Sequence, residues 1–214
     1  MVNENVYKEI AAFTQANSTT LVAVSKIKPA EDIQKMYNLG QRHFGENYVQ
    51  ELVEKQTQLP ANIYWHFIGH LQSNKVKYIA PFVHLIQSVD SEKLLKEIDK
   101  QAAKNNRKIN VLLQVHIAEE QTKFGFDEQE LMNLDVSLYP NINITGLMGM
   151  ATFTEYKEKV KQEFEQLKNL YTQFQQEKNV ELITLSMGMS DDYELAINCG
   201  SNMIRVGSLL FGRR

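Results

Sequence analysis

The sequence predicts an α/β fold, a single-domain (β/α)₈ barrel of the TIM type, on three observations. Short apolar segments alternate with amphipathic segments along the chain, which is typical of a parallel sheet covered by helices. Eight strand-like segments fit into 214 residues, and a closed eight-stranded barrel takes roughly 200 residues or more. Polar residues and glycines recur where these segments end, and barrel enzymes build their sites at that rim. This last observation favours the barrel over an open, doubly wound sheet.

Eight segments have the apolar composition of buried strands. In chain order they are LVAVS (21–25), HFGEN (43–47), YWHFIG (64–69), VHLIQS (83–88), INVLLQVHI (109–117), INITGLMGM (142–150), ELITLSMG (181–188) and MIRVGS (203–208). The polar or glycine residues at their carboxyl ends are Lys26, Glu46, Asn47, Gly69, Ser88, His116, Gly149, Ser186, Gly207 and Ser208. If the barrel closes, these residues surround one mouth.

The intervening segments have the apolar spacing of helices. Helices are predicted over 30–40, 48–58, 91–106, 127–135, 155–176 and 190–200, with a short helix beginning near Ser73. Ser91 and Ser190 are expected to cap the helices that they begin, and Gly40 to end the first of them. We expect one domain over residues 1–214, in which residues 1–19 form an N-terminal helical extension.

The composition argues against several classes of protein. A formal charge of −3 provides no electrostatic basis for nucleic-acid binding. A single cysteine, Cys199, excludes an internal disulfide and a Cys/His zinc finger, and the five histidines show no metal-ligand spacing, so no metal site is expected. The start MVNENVYKEI does not resemble a signal peptide, and no apolar run reaches the ~18 residues of a membrane span. We therefore expect a soluble, cytoplasmic protein.

The segment LVAVSKIKP (21–29) places Lys26 at the end of a buried strand, where an ammonium group is costly unless it is paired or neutralised. A partly desolvated lysine with a lowered pKa can attack a carbonyl group and form a Schiff base. The simpler interpretation is a surface lysine just past a strand, like Lys28. The pattern alone leaves both interpretations open.

Two segments near the C-terminus predict a phosphate site. In RVGS (205–208), Gly207 allows close approach to the backbone, and barrels often bind phosphate beyond strands 7 and 8. In LSMGMSDD (185–192), Ser186 ends a strand, and Ser190 begins a helix whose N–H groups could also bind an anion. The alternatives are a turn glycine beside a solvated Arg205, and a serine that only caps its helix.

Two further polar residues could face a ligand at the mouth. Asn47 could hydrogen-bond a ring or hydroxyl group, although capping of the next helix is at least as good an explanation. His66 could point into the mouth, but it could equally be a hydrogen-bonded core histidine.

Five segments together closely resemble one family. LVAVSKIKP, FGENYVQE, WHFIGHLQSNK, LSMGMSDDYELAI and GSNMIRVGSLLFG are similar to the pyridoxal phosphate homeostasis proteins, the YggS/PROSC family. The resemblance runs from about residue 20 to the C-terminus. It implies a barrel like the N-terminal domain of alanine racemase, with pyridoxal 5'-phosphate (PLP) held as an internal aldimine on Lys26.

The resemblance also implies the roles of other residues. Arg205 is expected near the pyridine nitrogen, where its positive charge would keep that nitrogen unprotonated and limit carbanion chemistry. The remaining cofactor-binding candidates are Gly207, Ser208 and either Ser186 or Ser190 at the phosphate, Asn47 and His66 as secondary pocket residues, and Met148 packed near the ring. The sequence departs from the family pattern at His70, His116 and Asn202, and the last departure puts one phosphate-side contact in doubt.

The resemblance implies a role in PLP homeostasis without catalysis. Such a protein would hold PLP, limit the free aldehyde and supply apo PLP-dependent enzymes, which are its expected partners. It is expected to be a monomer. The alternative is a PLP-dependent amino-acid racemase or related enzyme with low activity. Racemases of this fold type carry a second, β-rich domain after the barrel, and we expect none here. A third interpretation is an aldolase-type Schiff base between Lys26 and a sugar phosphate.

Overall fold

The computed structural model describes residues 2–118 and 124–212, and in it eight parallel strands form a closed barrel. Each strand pairs with the next in the chain, and β8 pairs with β1 to close the ring. The strands are β1 (Thr20–Val24), β2 (His43–Glu46), β3 (Tyr64–Phe67), β4 (Leu85–Val89), β5 (Ile109–Val115), β6 (Ile142–Gly149), β7 (Thr184–Ser186) and β8 (Met203–Val206). The predicted barrel is confirmed, and the open sheet is excluded.

Helices cover the outside of the barrel. They are α1 (Glu4–Ala16), α2 (Ala30–Asn38), α3 (Val49–Gln58), α4 (Val76–Ile79), α5 (Glu92–Lys104), α6 (Glu128–Asn133), α7 (Lys157–Lys178), α8 (Tyr193–Asn198) and α9 (Ser208–Phe211). Short 3₁₀ turns lie at Ser73–Lys75 and Val136–Leu138. Within residues 2–118 and 124–212, no helix combines the length and the apolar character needed to cross a membrane.

Two caps were predicted correctly and one was not. The Ser91 hydroxyl accepts a hydrogen bond from the Leu94 N–H, as expected at the start of α5. Gly40 follows α2 with φ of +106°, a conformation that glycine adopts without strain. The expected cap of α8 by Ser190 is wrong, because α8 begins only at Tyr193 and Asp192 occupies its N-cap position.

The apolar residues form two clusters separated by the barrel wall. The larger cluster lies between strands and helices and includes Phe164, Leu167 and Phe174 of α7, which recur at helical spacing. The smaller cluster fills part of the barrel interior and comprises Val22, Leu85, Leu112, Met148 and Met203. Because side chains alternate along each strand, neighbouring positions contribute to different clusters.

Candidate functional site

Lys26 lies at the mouth of the barrel formed by the carboxyl ends of the strands. It lies two residues after the end of β1 and is partly buried. Gly207 and Ser208 follow β8, the strand that pairs with β1 through the register Ala23–Val206. Since parallel neighbouring strands end at the same edge, the predicted lysine and the predicted phosphate-side residues lie side by side.

The turn that carries Lys26 is strained and is held by specific bonds. Ile27 has φ of +62°, a genuine outlier for a β-branched residue. Its N–H donates to Glu51 Oε2 at 2.8 Å. Lys28 Nζ donates to the Phe211 carbonyl oxygen at 2.9 Å and so ties the turn to α9. Strained backbone persists where its surroundings fix it, and here it follows the lysine directly.

A buried ion pair supports this turn from behind. Lys55 of α3 donates to Glu46 Oε1 at 2.8 Å, to Glu51 Oε2 at 2.9 Å and to the Ser25 carbonyl oxygen at 2.9 Å. The Ser25 hydroxyl also donates to Glu46 Oε1, at 2.7 Å. Glu46 ends β2, as predicted, but its carboxylate points toward the helix layer, one position out of phase with the barrel interior.

Burial and the neighbouring groups shift the pKa values of Glu46 and Glu51 in opposite directions. Burial raises the pKa of Glu46 to about 7, although the bonds from Lys55 and Ser25 oppose that shift. Burial would also raise the pKa of Glu51, but the bonds from Ile27 N–H and Lys55 outweigh it, so that pKa lies below its usual value. The Glu51 carboxylate, which accepts the hydrogen bond from the Ile27 N–H beside Lys26, is therefore ionised at neutral pH.

The raised pKa of Glu46 predicts a pH-dependent stability. Between the ordinary pKa of the unfolded chain and about 7, the folded state binds the extra proton, so stability falls as pH rises through this window. We expect Glu46→Gln to remove this dependence. Relative to that variant, the free energy of unfolding of the natural protein should fall by up to ~3 kcal/mol between about pH 5 and pH 8. Urea unfolding across this range measures the effect, and parallel profiles for the two proteins would contradict it.

Arg205 occupies the barrel interior near the mouth and is 4% exposed. Burial lowers its pKa to about 10, and the charge of Asp192 opposes the shift, so the guanidinium remains protonated at neutral pH. Its Nη1 donates to Ser186 Oγ at 2.6 Å and its Nη2 to the Gly149 carbonyl oxygen at 3.0 Å. These bonds use two of its five N–H donors.

A chain of hydrogen bonds runs from Arg205 through the barrel interior. Because arginine can only donate, the hydroxyl hydrogen of Ser186 is directed onward to Gln87 Oε1, at 2.7 Å. Gln87 Nε2 then donates to His66 Nδ1 at 2.9 Å, and His66 Nε2 lies 2.9 Å from His43 Nδ1. This direction requires a neutral His66 that carries its proton on Nε2.

The structure distinguishes the two candidate serines. Ser186 is fully buried, and its hydroxyl is engaged by Arg205 and Gln87. Ser190 is half-buried, and its Oγ accepts a hydrogen bond from the Gly207 N–H at 3.3 Å. Ser190 also lines an open cleft of about 880 Å³ between the segments that follow β6 and β7. Of the two, only Ser190 has a hydroxyl at an accessible edge of the mouth.

Asn47 remains at the mouth, whereas Met148 lies beneath it. Asn47 Oδ1 is buried and has no hydrogen-bond partner among the described residues, and its side chain does not cap α3. Gly69 packs against the Asn47 backbone so closely that an added Cβ would lie 2.3 Å from the Asn47 carbonyl oxygen. Met148 is 1% exposed, in the interior cluster. An unsatisfied buried acceptor at a barrel mouth suits a ligand that donates a hydrogen bond.

His66 lies inside the barrel rather than at its mouth. It is fully buried, and both ring nitrogens lie at hydrogen-bond distance from Gln87 and His43. It does not reach the mouth, and it is connected to Arg205 only through Gln87 and Ser186. Although the histidines show no metal-ligand spacing in the sequence, one ring nitrogen each of His43, His66 and His84 lies within 4.8 Å of the others.

The sequence analysis missed four residues that shape the site: Gln87, Glu51, Lys55 and Asp192. Lys55 and Glu51 are spaced i, i+4 on α3, a pattern typical of an ordinary surface ion pair. Gln87 lies between Ile86 and Ser88 in β4, and nothing in the sequence indicates that its side chain points into the barrel. Asp192 accepts a hydrogen bond from the Met189 N–H, and burial raises its pKa.

Comparison with known proteins identifies the family. The family model described as "Alanine racemase, N-terminal domain" matches residues 3–214. A relative from Aquifex aeolicus, named pyridoxal phosphate homeostasis protein, is 43% identical over 201 residues, which cover 92% of this chain and 88% of the relative. The chain belongs to the pyridoxal phosphate homeostasis protein family. The resemblance stated from the five sequence segments is confirmed.

Solved structures extend this comparison to the fold of the family. PipY of Synechococcus elongatus PCC7942, solved with PLP bound, has a TM-score of 0.88 and 36% identity, covering 97% of this chain and 100% of PipY. Alanine racemase from Bartonella henselae has a TM-score of 0.73 at 15% identity, covering 97% of this chain and 59% of the racemase. At that identity the racemase shows the shared barrel alone, whereas PipY is a full-length relative.

Proposed function

We propose that this protein binds PLP through the amine of Lys26 and acts in PLP homeostasis, holding the cofactor and supplying it to apo-enzymes. One observation carries the proposal. Lys26, a protonated Arg205 and the Ser190–Gly207 pair surround a single barrel mouth, in a family that includes a relative solved with PLP bound. We further propose that the protein is a cytoplasmic monomer.

The residues at the mouth fit the chemical groups of PLP. Lys26 would bind the aldehyde carbon, and the Gly207 N–H with the hydroxyls of Ser190 and Ser208 would bind the phosphate. The unsatisfied Oδ1 of Asn47 suits a donor on the ligand. When bound, PLP supplies an aldehyde that condenses with amines and a pyridine ring that can accept electrons.

Arg205 would limit the carbanion chemistry of PLP bound at this mouth. Its guanidinium is fixed by bonds to Ser186 and Gly149. With a pKa of about 10 it stays positive at neutral pH. A ring nitrogen facing this group gains a hydrogen-bond donor rather than a mobile proton, so the ring remains a weak electron acceptor. Exchange of the α-proton of alanine or serine at about 1 per second or more would contradict the carrier role.

Covalent labelling tests the cofactor site directly. We expect the purified protein incubated with PLP to turn yellow, and borohydride reduction to fix one pyridoxyl group on the peptide that contains Lys26. Mass spectrometry of the digested protein locates the label. A protein that remains colourless with added PLP, or a label mainly on the partly exposed Lys75, would overturn the assignment to Lys26.

A further inference from the structure

The three clustered histidines lie at the end of the barrel opposite Lys26. His43 is the first residue of β2, His84 immediately precedes β4, and His66 extends from β3 into the interior between them. One ring nitrogen of each lies within 4.8 Å of one from each of the others. We propose that this triad is a binding site for a divalent transition-metal ion of the zinc type. The proposal is independent of PLP binding.

The distances permit coordination after small side-chain rotations. Zinc binds imidazole nitrogens at roughly 2.0–2.1 Å, so nitrogens at tetrahedral positions lie ~3.3 Å apart. His43 Nδ1 and His66 Nε2 are now 2.9 Å apart and would separate slightly. The other separations, at most 4.8 Å, would shorten. His43 and His84 are partly exposed, so an ion has access from solvent, and water could occupy the fourth position.

The imidazoles are in the form that binds metal. Burial is the main cause that lowers the pKa of all three rings, and that of His43 falls to about 4. Three imidazoles without a carboxylate favour zinc, copper, nickel or cobalt over magnesium or calcium.

The hydrogen-bond chain can adjust to a metal ion on His66. Coordination through Nε2 moves the ring proton to Nδ1, with no net release of a proton. The Gln87 amide then turns by half a rotation, so that its Oε1 accepts from Nδ1–H and its Nε2 donates to Ser186 Oγ. Ser186 Oγ then accepts from both Arg205 Nη1 and Gln87 Nε2, and its hydroxyl hydrogen gives up the bond to Gln87 Oε1, which is a cost of metal binding. Metal-bound histidines usually donate their other N–H to an oxygen in this way.

Residues around the three histidines both favour and oppose metal binding. The Tyr64 ring packs against both His43 and His84, with centroids 4.8 and 4.6 Å away, and fixes their orientation. The charge of Arg107, whose guanidinium donates to the Ala80 and Val83 carbonyl oxygens, opposes a dication near His84. We therefore expect moderate affinity and a preference for an anionic fourth ligand such as hydroxide.

Titration of the full chain, without an affinity tag and after treatment with a chelator, tests the site. We expect calorimetry to show one Zn²⁺ per chain, and Co²⁺ to give the intense visible absorption of a tetrahedral site. His43→Ala and His84→Ala should each weaken binding at least about tenfold, the lower end of what the loss of an outer-shell partner costs. Both residues are partly exposed, so these variants should fold.

Matched controls separate this site from other ligands in the chain. His70→Ala removes an exposed histidine that pairs with Asp90, and Cys199→Ser removes the single thiol. Both variants should bind Zn²⁺ as the natural protein does. The proposal is overturned if the natural protein binds no stoichiometric Zn²⁺. It is also overturned if the His43→Ala, His84→Ala double variant keeps its affinity.

Discussion

Lys26→Ala is expected to abolish reducible attachment of PLP and to weaken its binding at least roughly 100-fold, equivalent to ~2.7 kcal/mol. The amine of Lys26 is the group in the strained turn after β1 that can form a covalent bond to the cofactor. Arg205 and the Ser190–Gly207 pair would remain and would bind PLP without that bond. Absorbance titration with PLP, followed by borohydride reduction and mass analysis, measures both effects.

Lys28→Ala provides the matched control, because it removes a lysine from the same turn. Lys28 Nζ is directed to the carbonyl oxygens of Phe211 and Gly212. We expect this variant to keep the yellow colour and the label on Lys26, with a small loss of stability. If Lys26→Ala retains a stoichiometric label while Lys28→Ala loses it, the anchor has been assigned to the wrong lysine.

Lys55→Met is expected to have the largest effect on stability, a loss of about 3 kcal/mol at pH 8. Lys55 is 7% exposed and bonds Glu46, Glu51 and the Ser25 carbonyl oxygen. Without it, the buried Glu46 carboxylate has no cation partner, and removing one partner of a buried pair costs far more than the pair contributes. Urea unfolding at pH 8 and pH 5 measures the loss.

Two comparisons isolate the cause of this loss. The loss should be smaller at pH 5, where Glu46 is protonated because its pKa is raised to about 7. Adding Glu46→Gln should recover part of the stability by removing the unpaired charge. Lys35→Met, which removes a largely exposed lysine 3.5 Å from Asp32, should cost about 0.5 kcal/mol or less. Equal losses for Lys35→Met and Lys55→Met would contradict the argument.

Lys55 also connects the stability of the fold to the cofactor site. Lys55 and Glu51 hold the Ser25 carbonyl oxygen and the Ile27 N–H, one residue on either side of Lys26. The cation that stabilises the fold therefore also fixes the strained turn that presents the proposed anchor. A carrier gains from this arrangement, because a lysine held in place loses less conformational entropy when it binds.

The amino-acid sequence by itself determined the barrel, the order of its elements and the positions of Lys26, Arg205, Gly207 and Asn47. Hydrophobic periodicity and strand-end residues are local features, and in a parallel barrel the carboxyl ends of all strands meet at one mouth. The five ordered segments identified the family for the same reason: each is a continuous stretch of chain around one strand end. The predicted bounds differ most from the structure at β7, predicted over 181–188 and found at Thr184–Ser186, and at α8, predicted over 190–200 and found at Tyr193–Asn198.

Only the tertiary structure decided which way the polar side chains point. Strands of a parallel barrel are buried on both faces, so their sequences do not show which residues face the interior and which face the helices. Closure and register place Glu46 beside Lys55, and His66 between Gln87 and His43. They also bring His43, His66 and His84 together from three successive strand regions, because residues about twenty apart in sequence become neighbours around the ring.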